Sequence, residues 1–242
     1  MKKKVTFLAQ SKGWVGKSFI TWFIARSQKD ATSIFIDLDK STRTSQRLKS
    51  LVGNDRILEL SIMDGNLKMD REAFLNIFAN ISKTETEEWY VDLGAPESDE
   101  LKSFFKNEVS GNELKEILDD FDIDLRILVI IAGEDAFAAS VSYYKELSEL
   151  AGDFINIVAI KNEGTFGTIE NREQGDQLLL DNGISFIKAG VMPIGNSGNE
   201  IINIIAGINT EENLSFAGKR SMKKVTEQIE LALLWSHITL KI

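Results

Sequence analysis

Apolar residues along this chain fall into two recurring patterns: short unbroken runs, and longer stretches spaced at helical intervals. Val5-Thr6-Phe7-Leu8-Ala9 is a compact run followed by Gly13 and Gly16, which reads as a buried strand entering a turn. From Lys17 to Gln28, Ile20, Phe23 and Ile24 recur on one helical face, so a helix is expected there. The strand pattern returns at residues 33–37, 89–92, 125–131, 155–160 and 184–189. Helical spacing runs over 43–51, 70–81, 97–119, 135–150 and 170–182, and the tail from Glu211 to Trp235 reads as one or two closing helices.

Strands that are apolar throughout and alternate with helices imply a parallel sheet covered on both faces. The expected architecture is an α/β fold: a mostly parallel, twisted sheet with helices on both faces, forming a single domain over residues 1–242. Only Pro96 and Pro193 interrupt the chain, with no internal repeat, low-complexity tract or linker.

Composition narrows the chemistry. The chain has no cysteine, which excludes disulfides, thiolate metal sites and iron–sulfur clusters. Its one histidine, His237, stands beside Trp235 near the end and offers no second group for a Ser–His–Asp or zinc site. The formal net charge is −9, unevenly spread. Basic residues outnumber acidic ones over 1–84, and the excess of acid is concentrated in 85–124. The basic start Met1-Lys2-Lys3-Lys4 is followed by an apolar run too brief for a signal peptide, and no run approaches the length of a membrane span. A cytoplasmic, unprocessed protein is expected.

The most informative segment is Gln10-Ser11-Lys12-Gly13-Trp14-Val15-Gly16-Lys17-Ser18, lying between the first strand and the first helix. Glycines there let backbone N–H groups converge on phosphate oxygens, and the helix N-terminus adds partial positive charge. Lys17 is placed to reach β- and γ-phosphates, and the Ser18 hydroxyl to ligate Mg²⁺, a hard cation that prefers oxygen. Ser11 occupies the first glycine position of the strict P-loop pattern, whereas the deviant form K-G-G-x-G-K-[ST] matches with Trp14 in place of its second glycine.

On these residues the chain resembles the ParA/MinD family of deviant Walker-A P-loop ATPases. The resemblance implies a P-loop NTPase fold, ATP and Mg²⁺ as ligands, and a phosphate cradle of Gly13, Trp14, Val15, Gly16, Lys17, Ser18 and Phe19. Lys12 matches the family's signature lysine, which implies a homodimer formed on ATP in which Lys12 reaches the partner's nucleotide. Phe19 stands where the family commonly has a small hydroxyl residue.

Two further motifs follow in the family's order. Ile34-Phe35-Ile36-Asp37-Leu38-Asp39 resembles the D-x-D motif, with Asp39 aligned to the acid that positions the attacking water and approaches magnesium. Asp37 is read as support for the loop or the metal shell. Lys40-Ser41 stand where Pro-Gln is common. Glu88-Trp89-Tyr90-Val91-Asp92-Leu93-Gly94-Ala95-Pro96 resembles Walker B, with Asp92 as a magnesium ligand beside Ser18. Asn162, ending a strand, is the candidate for the adenine edge, and the absence of a guanine signature there favours ATP over GTP. Pro193, in Gly190-Val191-Met192-Pro193, is a weaker candidate for packing near the base.

The resemblance implies a partition-type ATPase that binds nonspecific DNA and is stimulated by a partner protein, with Lys219, Arg220, Lys223 and Lys224 as the candidate DNA-contacting patch. A solvated helix start is the alternative account of that patch. Two other functions stay open at this point. One is a weakly hydrolysing, nucleotide-dependent interaction module in conjugation or mobilisation, suggested by Trp14, Phe19 and the missing Pro-Gln. The other is a MinD-like membrane-positioning ATPase, for which the apolar end at Leu233-Leu234-Trp235 carries few basic residues.

Overall fold

A computed structural model describes residues 2–13, 15–39, 44–190 and 195–234. Seven strands join in one sheet among them: β1 (Lys3–Ala9), β2 (Ile34–Asp37), β3 (Ile57–Glu59), β4 (Glu88–Asp92), β5 (Ile123–Ile131), β6 (Asn156–Asn162) and β7 (Phe186–Ala189). Their order is β3-β2-β4-β1-β5-β6-β7 and every pairing is parallel. From β1 the chain crosses to β2 and the edge strand β3, returns to insert β4 between β2 and β1, and then builds to the other side through β5, β6 and β7. That reversal opens a crevice at the carboxyl end of β1, where open α/β sheets place their ligands.

The helices are α1 (Lys17–Ser27), α2 (Thr44–Val52), α3 (Arg71–Ser82), α4 (Ala95–Asn107), α5 (Gly111–Asp120), α6 (Phe137–Ala151), α7 (Ile169–Asp181), α8 (Asn196–Ile205) and α9 (Phe216–Leu233). Because side chains alternate across a strand, β1 sends Val5, Phe7 and Ala9 to one face and Leu8 to the other. On the first face Phe7 stacks on Phe78 at 5.8 Å and meets Phe74 edge-on at 5.9 Å. Phe104, Tyr143 and Leu147 from α4 and α6 continue this core. On the second, Trp22, Phe23 and Ile24 of α1 pack with Val225 and Ile229 of α9. The α/β expectation, with a parallel sheet covered on both faces, is borne out.

The helix expected over 97–119 is in fact two. Ser110 accepts from the Glu113 backbone while the Glu113 side chain accepts from the Ser110 N–H, a capping box that starts α5 afresh. Two elements went unanticipated: the three-residue edge strand β3, and α8, whose Ile201, Ile204 and Ile205 are buried against the α1 face. The closing tail is mainly the single helix α9. Its last carbonyls, those of Ala232 and Leu233, accept from the buried Arg126 guanidinium, a cation suited to a helix C-terminus. Trp235 and His237 lie outside the described residues.

Candidate functional site

The loop between β1 and α1 is pinned from its first residue. Gln10 is fully buried: its N–H donates to Ser98 Oγ at 3.0 Å, its Nε2 to the Ile130 carbonyl at 2.8 Å, and its Oε1 accepts from the Lys12 N–H at 3.2 Å. At the other end Gly16 takes φ +89° and begins α1 with no side-chain cap and no acidic residue in the first turn. The partial positive end of α1 is therefore left to the loop. Lys12 and Gly13 are exposed, while Val15 is buried. Ser18 lies in the first turn, and Phe19 packs on Phe23 with ring centres 4.9 Å apart. Trp14 lies outside the described residues.

Gly16 is required twice over. Its left-handed conformation costs a residue with a Cβ about 1–2 kcal/mol, and an added Cβ would stand 2.1 Å from Asn162 Nδ2. Gly16→Ala is accordingly expected to displace Asn162 and weaken triphosphate binding at least about tenfold, the equivalent of about 1.4 kcal/mol. Titration with a fluorescent ATP analogue measures it.

Below the loop, two strand ends deliver three carboxylates, Asp37 and Asp39 from the end of β2 and Asp92 from that of β4. The parallel register sets Asp37 against Asp92 and Asp92 against Leu8. Lys17 Nζ lies 3.0 Å from Asp92 Oδ1 and 3.9 Å from Asp39 Oδ2, and all three residues are buried, Lys17 being 8% and Asp92 2% exposed. Asp92 Oδ2 has no hydrogen-bond partner among the described residues. Burial pushes the Asp92 carboxyl above the usual carboxylate range, and the Lys17 ammonium opposes that rise.

Asp37 does a different job. Its Oδ1 accepts from the Asp39 N–H at 3.0 Å and its Oδ2 from the Ser45 N–H at 2.9 Å, so it bridges the end of β2 to the start of α2. Burial first, and the charge of Asp92 second, raise its pKa to about 6 against those two N–H donors. Of the two readings of Asp37, loop support is the one its contacts favour.

Gly94, which begins α4 just past β4, is the second tight place. A Cβ there would lie 2.1 Å from Glu97 Oε2 and 3.2 Å from Asp39 Cγ. Glycine at 94 thus lets an acid from the first turn of α4 approach the β2 acid. Glu97 was not anticipated from the sequence, and neither were Gln10 and Ser98. A polar residue directly after an apolar strand, as Gln10 is, was the one available signal.

Asn162 is 4% exposed. Its Nδ2 donates to the Val15 carbonyl at 2.9 Å, and its Oδ1 accepts from the Gly164 N–H at 3.2 Å. With one bond made by each atom, an adenine contact from this residue is left the second amide hydrogen and the second lone pair of Oδ1. Pro193 lies outside the described residues. Beside the loop, Lys12 shares the rim of a cavity of about 460 Å³ with Glu134, Asp135, Gly164 and Thr165. Glu134 holds φ +52° there, an uncommon conformation for a residue with a side chain.

The structure thus brings Lys17, Asp39 and Asp92 together, with Ser18 and Val15 on the adjoining loop and helix, and Asn162 against the loop. Lys12 is exposed at the rim of the neighbouring cavity. Lys219, Arg220, Lys223 and Lys224 are all exposed along α9, where Lys223 pairs with Glu227 at 3.7 Å.

No family model and no curated protein sequence matches the chain. Solved structures do. The MinC:MinD cell division protein complex of Aquifex aeolicus is similar at a TM-score of 0.57 and 13% identity, covering 99% of this chain and 98% of that one. MinD of Aquifex aeolicus alone gives 0.55 and 14%, covering 94% and 97%. A plasmid partition protein of Borrelia burgdorferi B31 bound to AMPPNP gives 0.53 and 12%, covering 96% and 100%. At such identities the likeness is one of fold: this chain has the α/β fold of partition proteins and MinD, as the motif resemblance implied.

Proposed function

We propose that the chain binds ATP with Mg²⁺ on the β1–α1 loop and hydrolyses it slowly, as a partition-type ATPase whose homodimer forms on ATP. The observation that carries this reading is the convergence of Lys17, Asp39 and Asp92 beneath an uncapped helix start entered through a left-handed glycine. The bound AMPPNP of the Borrelia burgdorferi protein with this fold supports the choice of ligand. Residues 1–242 act in this reading as one functional unit.

The donor set fits magnesium. Mg²⁺ is commonly held by one or two carboxylates together with substrate phosphates, and Asp92 offers a buried oxygen with no hydrogen-bond partner among the described residues. Ser18, Asp39 and Asp92 would hold the ion, which supplies neutralisation of charge on the phosphate oxygens. The backbone of residues 13–18 cradles the phosphates. Lys17, which neutralises the acids in the structure described, lies where it also serves a phosphate group. Asp39 accepts the hydrogen bond of the attacking water, and Lys12 completes the partner's site with its positive charge.

The exposure of Lys12, in contrast to the burial of Lys17, Asp39 and Asp92, supports action in trans. The exposed Lys219, Arg220, Lys223 and Lys224 give α9 a surface for DNA phosphates, with the cytoplasm and its nucleoid as the place of action. The MinC:MinD complex of the same fold supports a partner protein, to which this reading assigns stimulation of turnover.

Size-exclusion chromatography with light scattering tests the reading. Wild type is expected to pass from monomer to dimer with ATP and Mg²⁺. Lys12→Ala is expected to retain ATP affinity within a few-fold while hydrolysis falls about 10²-fold or more, the loss typical of one removed charge-stabilising donor. A wild-type chain that ignores ATP in both assays would sink the proposal.

A further inference from the structure

Lys161 has no solvent exposure at all, and an ammonium ion in such a place is costly unless it is fully paired. Its Nζ forms ion pairs with Glu163 at 2.7 Å and Asp176 at 2.6 Å and donates to the Arg172 carbonyl at 2.7 Å. It also lies 4.3 Å from the centre of the Phe166 ring. An ammonium carries three protons; this one donates to Asp176 Oδ1 and the Arg172 carbonyl, while Glu163 contributes its charge without accepting a hydrogen bond. Helix α7 comes this close because position 175 is glycine: a Cβ there would stand 2.6 Å from the Phe166 ring and 3.4 Å from Lys161 Cε.

The next residue in the chain is Asn162, whose amide holds the Val15 carbonyl. Its surroundings leave little play, since a Cβ on Gly16 would lie 2.1 Å from Nδ2 and one on Gly190 2.4 Å from Oδ1. The turn that follows is tied in as well. Thr165 Oγ1 donates to the Asn162 carbonyl at 2.7 Å and accepts from the Gly133 N–H at 2.8 Å. A continuous set of contacts therefore runs from α7 through Lys161 and Asn162 to the backbone at Val15 and Gly16. Joining two elements needs no buried charge, because apolar packing of similar volume is commonly as stable or more so. What the charged cluster adds is direction: two hydrogen bonds, to Asp176 and the Arg172 carbonyl, fix one position of the β6 end, whereas apolar contacts tolerate several.

We propose that Lys161 is a positioning residue for the phosphate-binding loop: anchored on Glu163, Asp176 and the Arg172 carbonyl, it holds Asn162 on the Val15 carbonyl and so sets the curvature at residues 15–16. The inference rests on the reading of that loop as a nucleotide site, and one of its two readouts does not need nucleotide.

The test compares full-length wild type, Lys161→Met and Asp176→Asn. The first readout is hydrogen exchange of the Asn162 side-chain amide by NMR, assigned with Asn162→Ser. The second is the Kd for a fluorescent ATP analogue. Lys161→Met is expected to speed Asn162 exchange at least about tenfold while backbone amides in the centre of β1 and β5 stay protected, and to raise the Kd about tenfold. Asp176→Asn, which keeps an oxygen for Lys161, should fall between; it carries the test alone if Lys161→Met does not fold. A lowered melting temperature with Asn162 exchange and Kd both unchanged would mean a structural link only, and would overturn the proposal. Faster Asn162 exchange in a protein whose wild type binds no ATP would uphold the positioning role and reject the nucleotide reading instead.

Discussion

Replacing Lys17 by methionine is expected to weaken ATP binding severely and, in the absence of nucleotide, to lower the melting temperature by roughly 10 °C. The second effect follows from what Lys17 touches. It lies 3.0 Å from Asp92 and 3.9 Å from Asp39, and both acids are buried. Removing one partner of a buried pair costs about 3–5 kcal/mol because the other charge is left uncompensated. For a chain of this size each kcal/mol moves the transition by about 2–4 °C. The loss should depend on pH with a definite sign. Burial already raises Asp92, and Lys17 is the group opposing that rise. Without it the folded state holds the Asp92 proton more tightly than the unfolded state does, so stability falls as pH rises through the acidic range. Thermal unfolding of Lys17→Met should therefore recover part of the loss at pH 5 relative to pH 7.5. Binding should weaken at least 100-fold, about 3 kcal/mol, in titration with a fluorescent ATP analogue. An unchanged melting temperature at pH 7.5 would show that the acids do not depend on Lys17.

Much of this arrangement is legible in the order of residues, and the parts that are not share a cause. Gly16, Lys17 and Ser18 follow an apolar strand and open a helix, so local pattern alone places the loop. Asp39 and Asp92 are legible because each ends an apolar run. That their strands should neighbour one another is a long-range matter: β4 inserts between β2 and β1, and nothing within either run encodes that order. The break between α4 and α5 turns on the Ser110–Glu113 capping box, a signal readable in principle but hidden within continuous helical spacing. Edge strand β3 has three residues, too few for a period to emerge.

The case of Asn162 is different. Its position at a strand end was plain from the sequence, but its grip on Val15 depends on the empty space at Gly16 and Gly190, 146 and 28 residues away in the chain. Glu97 belongs to the same class, since its approach to the acids is permitted by the missing side chain of Gly94. Glycines chosen for clearance look identical in sequence to glycines chosen for a turn.

Asp39→Ala is expected to separate binding from turnover. Asp39 sits 3.9 Å from Lys17, whereas Asp92 makes the shorter contact at 3.0 Å, so the lysine keeps its nearer partner when Asp39 is removed. The peptide that carries Asp39 is held independently, through its N–H to Asp37 Oδ1, and the loop should keep its course. The melting temperature should therefore drop much less than in Lys17→Met, and ATP affinity should stay within a few-fold. Glu97 lies nearby across Gly94, but the reading assigns the contact with the attacking water to Asp39. Loss of a general base or water-orienting acceptor costs about 10²–10⁴ in rate, so steady-state phosphate release should fall by about 10³-fold. Asp39→Asn sharpens the test: it preserves size and one acceptor oxygen but not the charge, and should recover at most a small part of the rate. Equal losses of affinity and turnover in both variants would instead assign Asp39 to ligand binding. Phosphate release within threefold of wild type would remove it from the reaction altogether.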